Sequence, residues 1–141
     1  VGCPNYIGGD FNCSNNQLTS LKGCPEYIDG GFSCRGNQLV LFYGPKYIGS
    51  DLVISRNAIR FISYDIEING DIYTEDNPIY IIFDNKLSNK SIYEEYCIYR
   101  PISEDGSIIY KSRLKEMFYQ LKYLVKFESD IERLSKYYKI I

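Results

Sequence analysis

Phe11-Asn12-Cys13-Ser14-Asn15-Asn16-Gln17-Leu18 and Leu52-Val53-Ile54-Ser55-Arg56-Asn57-Ala58-Ile59 have few residues in common, yet their pattern is the same. Each sets two apolar residues two apart, an asparagine three further on, and another apolar residue two beyond that. An apolar pair at period two reads as a short strand with both side chains on one side. Working outward, Pro4, Pro25, Pro45 and Asp65 align at spacings of 21, 20 and 20. That register brings Ile7, Ile28, Ile48 and Ile68 into one column and Phe11, Phe32, Leu52 and Ile72 into another. Three further apolar columns follow, beginning at Cys13, Leu18 and Leu21. Copies this short cannot bury an apolar face alone and must stack. The spacing therefore predicts a repeat solenoid over 1–83, with coils at 2–22, 23–42, 43–62 and 63–82, whose short parallel strands form a sheet. Residues 84–141 are expected to add a helical C-terminal cap, giving an α+β chain overall.

Asn16, Asn37, Asn57 and Asn77 form an invariant column. Where a coil turns out of its strand, buried backbone groups need a compact partner with both a donor and an acceptor, and an asparagine ladder supplies one. Gly8, Gly9, Gly30, Gly31, Gly49 and Gly70 precede the strands, where a tight bend at positive φ is expected.

The form of the repeat, apolar-x-apolar-x-x-Asn-x-apolar, resembles the centre of leucine-rich repeats of the short class of about 20 residues found in bacterial effectors. Gly2-Cys3-Pro4 together with Asn15-Asn16-Gln17-Leu18-Thr19-Ser20-Leu21-Lys22-Gly23-Cys24-Pro25 looks still more like the repeats of largely uncharacterised bacteriophage proteins. In that group, too, the last repeat ends in a segment like Asn77-Pro78-Ile79-Tyr80 and passes to a helical tail. The resemblance implies a leucine-rich-repeat-like fold and a phage or bacterial origin, and it implies no activity.

Cys3 and Cys24 share one column, Cys13 and Cys34 another, and Cys97 stands in the tail. Side chains stacked in a parallel ladder point the same way, which disfavours disulfides between neighbouring coils. Ile54 and Thr74 continue the inner column, so the position calls for a compact, mostly apolar group rather than sulfur. Buried, reduced thiols are expected, with no metal site, because the chain has no histidine and no C-x-x-C pair. Thiols of this kind suit a reducing compartment, the cytoplasm of a bacterial host or else a virion. The chain starts at Val1, inside a repeat and without a signal segment, so upstream residues are expected to be missing.

The tail reads as a polar loop from Asp84, a short segment near 92–99, and an amphipathic helix over about 107–127 carrying Ile109, Leu114, Met117, Phe118, Leu121, Leu124 and Val125. Ser129 with Glu132 resembles a capping box, which predicts a second helix over about 130–140, with a single long bent helix as the alternative. These helices are expected either to close the open coil or to bind a partner.

Formal net charge is −2. The repeats carry five basic residues against nine acidic ones, and the tail from Asp84 carries eleven against nine. Neither half has the footprint of a nucleic-acid binder, and no apolar run is long enough to span a membrane. No phosphate loop, nucleophile elbow or cofactor motif occurs, so neither catalysis nor a cofactor is expected. The exception is the flank of Asp51 and Asp71, where an enzyme or calcium site would have to lie. The outward strand positions, Asn12, Ser14, Ser33, Arg35, Val53, Ser55, Tyr73 and Glu75, with Arg56 beside them, form the candidate protein-binding face. The expected function is a non-enzymatic protein-interaction scaffold, or alternatively a structural or oligomeric component of an assembly such as a virion.

Overall fold

A computed structural model describes residues 3–83, 89–122 and 124–141. Of the expected features, Gly2 at the start of the first coil, positions 84–88 of the polar loop and the Val125 side chain lie outside the described residues. Strands β1 (Tyr6–Ile7) and β2 (Phe11–Asn12) belong to the first coil, and β3 (Tyr27–Ile28), β4 (Phe32–Ser33) and β5 (Leu41–Phe42) to the second. The third holds β6 (Tyr47–Ile48), β7 (Leu52–Val53) and β8 (Phe61–Ile62), the fourth β9 (Glu67–Ile68) and β10 (Ile72–Tyr73). Equivalent strands pair in parallel, so β1-β3-β6-β9 and β2-β4-β7-β10 form two four-stranded sheets and β5-β8 a two-stranded one. The result is a β-solenoid of about three turns followed by a few helices.

Two features depart from the expectation of one sheet and four coils. The second and third coils each have three strands, because the isoleucine column and the Phe42–Ile62 pair are also extended and paired. The fourth coil stops short: Ile82, which aligns with Phe42 and Ile62, lies in a single helical turn, α1 (Tyr80–Phe83). Pro78 lies at the entrance to this turn, where its fixed φ and missing N–H are tolerated.

The interior is filled column by column. Ile28, Ile48, Phe32, Leu52, Ile72, Leu39, Ile59, Phe42 and Ile62 are all essentially inaccessible, and each side chain so buried contributes about 1.5–3 kcal/mol. The expected bends at positive φ before the strands do not occur. Gly30, Gly49 and Gly70 are there for space: a Cβ would lie 2.7 Å from the Gly9 carbonyl carbon at Gly30, 2.8 Å from that of Asp29 at Gly49, and 2.7 Å from Asp51 N at Gly70. Positive φ falls instead just before the asparagine column, at Asn15, Gly36, Arg56 and Asp76.

After the solenoid come α2 (Asn89–Tyr99), β11 (Ile108–Ile109), α3 (Lys111–Gln120), α4 (Phe127–Leu134) and β12 (Lys139–Ile140). The helix expected over 107–127 is shorter at both ends. Its β-branched start, Ile108–Ile109, pairs in parallel with Lys139–Ile140, and Lys122 at φ 61° ends the regular turn. The second helix begins at Phe127 rather than about 130. Ser129 does not cap it, since its hydroxyl donates to Lys126 O from inside the first turn. Strand β12 occupies the end of the range expected to be helical.

Candidate functional site

The asparagine ladder runs along the solenoid. Asn57 Nδ2 donates to Ile54 O in its own coil at 3.0 Å and to Cys34 O in the coil before at 3.1 Å, while its Oδ1 accepts the Leu39 N–H at 3.0 Å. Asn37 does the same for Cys34, Cys13 and Leu18, and Asn77 for Thr74, Ile54 and Ile59. Asn16 reaches only Cys13 and Ser14 of its own coil and is exposed.

The ladder holds the outward positions in rows. Pairing sets Asn12, Ser33, Val53 and Tyr73 side by side. The next row, Arg35, Ser55 and Glu75, follows through the bonds Gly36 N–H to Ser55 O and Arg56 N–H to Glu75 O, with Asn15 N–H to Arg35 O extending it to the first coil. Asn12, Arg35, Arg56, Tyr73 and Glu75 are exposed. Arg56 lies 3.7 Å from Asp76 in a solvent-exposed pair of little energetic weight. Ser14 and Ser33 are half-buried and share a 2.6 Å hydroxyl contact. Ser55 departs from the expected outward display: it is 8% exposed, a short side chain in a row between the longer Arg35 and Glu75. A hollow of about 310 Å³ at the edge of these rows is lined by Asn12, Ser33 and Val53 together with Asp10 and Asp51.

The acidic flank has a structural use. Asp10 Oδ1 accepts the Gly31 N–H at 2.7 Å, and Asp51 Oδ1 accepts the Asp71 N–H at 2.8 Å, so each carboxylate latches one coil to the next. Among the described residues, no three potential metal ligands come together. The five thiols are free. Cys34 is buried and Cys13 and Cys24 are half-buried, and burial raises all three pKa values, that of Cys24 to about 11. Cys3, expected to be buried, is exposed among the described residues. The raised pKa values keep Cys13, Cys24 and Cys34 protonated at neutral pH, which makes them weak nucleophiles.

What the sequence did not reveal is how the C-terminal end of the solenoid is closed. Tyr96, fully buried, donates to Ile62 O at 2.9 Å and accepts the Ile62 N–H at 3.2 Å, so it engages both backbone groups on the outer edge of β8. Tyr93 donates to Ser63 O at 2.6 Å, and Tyr138 to Arg60 O at 2.7 Å. Tyr64 donates to Ile102 O at 2.6 Å and accepts its N–H at 3.0 Å, which ties the solenoid to the following segment. Burial pushes the Tyr64 hydroxyl up to about 12 and those of Tyr93, Tyr96 and Tyr138 higher still. Tyrosines in a tail otherwise read as helical were the available signal, since a buried phenol needs a polar partner.

No family model, curated protein or solved structure matches the chain. Among the described residues no helix is long and apolar enough to cross a membrane.

Proposed function

We propose that this chain is a non-enzymatic protein-interaction scaffold that binds through the rows around Arg35, Arg56 and Tyr73. The observation carrying this reading is the exposure of two arginines and a tyrosine on adjacent rows of a backbone fixed from behind by the asparagine ladder. Arginine and tyrosine are the residue types that dominate interface hot spots, and a solenoid face presents them with little ordering cost on binding. The sequence resemblance adds a leucine-rich-repeat-like kinship and a phage or bacterial setting to the reading. Capture of partners with the immobilised chain tests it: the Arg35→Glu, Arg56→Glu double variant should lose a partner that the parent retains. An identical partner list from both chains would contradict it.

A second reading, a component of a larger assembly, is favoured by the first coil. Phe11, Cys13 and Leu18 are only half-buried there, and an apolar hollow of about 250 Å³ opens between them and Leu21 and Cys24. Light scattering on the isolated chain separates the two readings, since a stable monomer counts against the assembly.

A further inference from the structure

The C-terminal end of the solenoid presents three strand edges, β8 of the third coil and β9 and β10 of the fourth, and they are finished differently. At β8, Tyr96 engages both outward backbone groups of Ile62, and α2 packs against β10. At β9, Glu67 and Asn69 donate their N–H groups back to Lys46 O and Ile48 O. Alternation along the strand therefore turns the Ile68 N–H and C=O away from the solenoid. Neither has a hydrogen-bond partner among the described residues. They face an open groove of about 620 Å³ between β9 and α2. Its walls include Ile66, the half-buried Cys97 and Ile98, a residue 68% exposed. Among the described residues lining it, exposed Glu67 and Glu94 are opposed by one cation, Lys90.

We infer that this groove takes an extended peptide segment of a partner protein, which adds to β9 as a further strand. An unpaired edge beside an apolar wall is the geometry of strand addition. Because side chains alternate along a strand, the peptide sets an apolar residue against Cys97 and Ile98 and turns a basic one toward Glu67 and Glu94, whose charges outnumber that of Lys90. A whole coil from a second copy does not fit, since α2 and Tyr96 occupy the rest of this end. The site belongs to a different sheet from the Arg35 and Arg56 rows, so it stands or falls independently of them.

Fluorescence anisotropy tests the inference with a labelled, acetylated peptide of alternating lysine and valine, titrated with the full chain. Two controls accompany it: the same peptide N-methylated on alternate amides, and a glutamate–valine peptide. Saturable binding is expected for the unmodified lysine peptide alone. Ile98→Asp, at an exposed position, should weaken it about tenfold, and Glu94→Lys should shift preference toward the glutamate peptide. The Ile68 amide should exchange rapidly in the free chain and slowly with peptide bound. Absence of saturable binding, equal binding of the N-methylated peptide, or indifference to Ile98→Asp in a variant with unchanged circular dichroism would overturn the inference. So would an Ile68 amide already protected in the free monomer, or one protected only at concentrations where light scattering shows a dimer, which would assign the groove to a second copy.

Discussion

Asn57 shows how much one side chain of this solenoid holds together. Its amide spans two coils, satisfying Leu39 N–H, Cys34 O and Ile54 O at once. Truncation leaves these backbone groups without partners where water has poor access, and such groups cost about 1–3 kcal/mol each when buried. Asn57→Ala is therefore expected to destabilise the chain by about 3 kcal/mol. Asn16→Ala, in the same column but exposed and bonded only within its own coil, should cost under about 1 kcal/mol. Urea denaturation of the two variants measures the difference, and equal losses would show that the bonds between coils carry no weight. Spacing alone was enough to align these asparagines. It could not separate a glycine needed for φ from one needed for space, because both requirements select the same residue. The coil geometry distinguishes them: Gly49 faces the backbone of Asp29, whereas Gly36 occupies the positive-φ turn together with Asn15, Arg56 and Asp76. The asparagine, glycine and aspartate of that column tolerate left-handed backbone, and this was the overlooked signal.

The junction between solenoid and helices depends on hydroxyls. Tyr96→Phe keeps the packing and removes the partner of both Ile62 groups, so it should cost about 2–4 kcal/mol in the same urea assay. A loss below about 0.5 kcal/mol would mean that water replaces the hydroxyl. The pH dependence has a definite sign. Burial raises the pKa of Tyr64, Tyr93, Tyr96 and Tyr138 in the folded chain above the unfolded value near 10. The folded state therefore holds these phenol protons more tightly than the unfolded state does. Their contribution is fully present below pH 10 and falls as pH rises from there toward and beyond 12. Ultraviolet titration should show Tyr64, Tyr93, Tyr96 and Tyr138 ionising together with loss of structure; their smooth titration in a chain that stays folded would contradict this. The tail's elements were only partly legible for a related reason. Apolar periodicity identified the buried face of α3 through Leu114, Met117 and Phe118, but Ile108–Ile109 and Lys139–Ile140 find each other across 29 intervening residues, from 110 to 138. No local pattern encodes that pairing.

At the scale of the whole molecule, stacking was legible because it is repeated: a column kept through several copies signals neighbours along an axis. The number of sides per coil was not, since the tyrosine–isoleucine pairs are too short to read as strands until they are stacked. Nor were the ends. The first coil and the last carry the same columns as the middle ones, yet Phe11 and Leu18 are only half-buried where Phe32 and Leu39 are sealed. The candidate face was legible as a set of outward positions, and only the rows themselves show Ser55 sinking between longer neighbours. A scaffold role depends on these rows staying in register, because one coil slipping against the next would separate Arg35, Arg56 and Tyr73. Site-resolved amide hydrogen exchange on an isotope-labelled chain tests that register most directly. Slow exchange is predicted at Leu39 and Ile59, whose amides are held by asparagines of the following coil, together with selective release of Leu39 in Asn57→Ala. Fast exchange at both positions in the parent chain, or no change at Leu39 in the variant, would contradict the stacked, asparagine-locked solenoid.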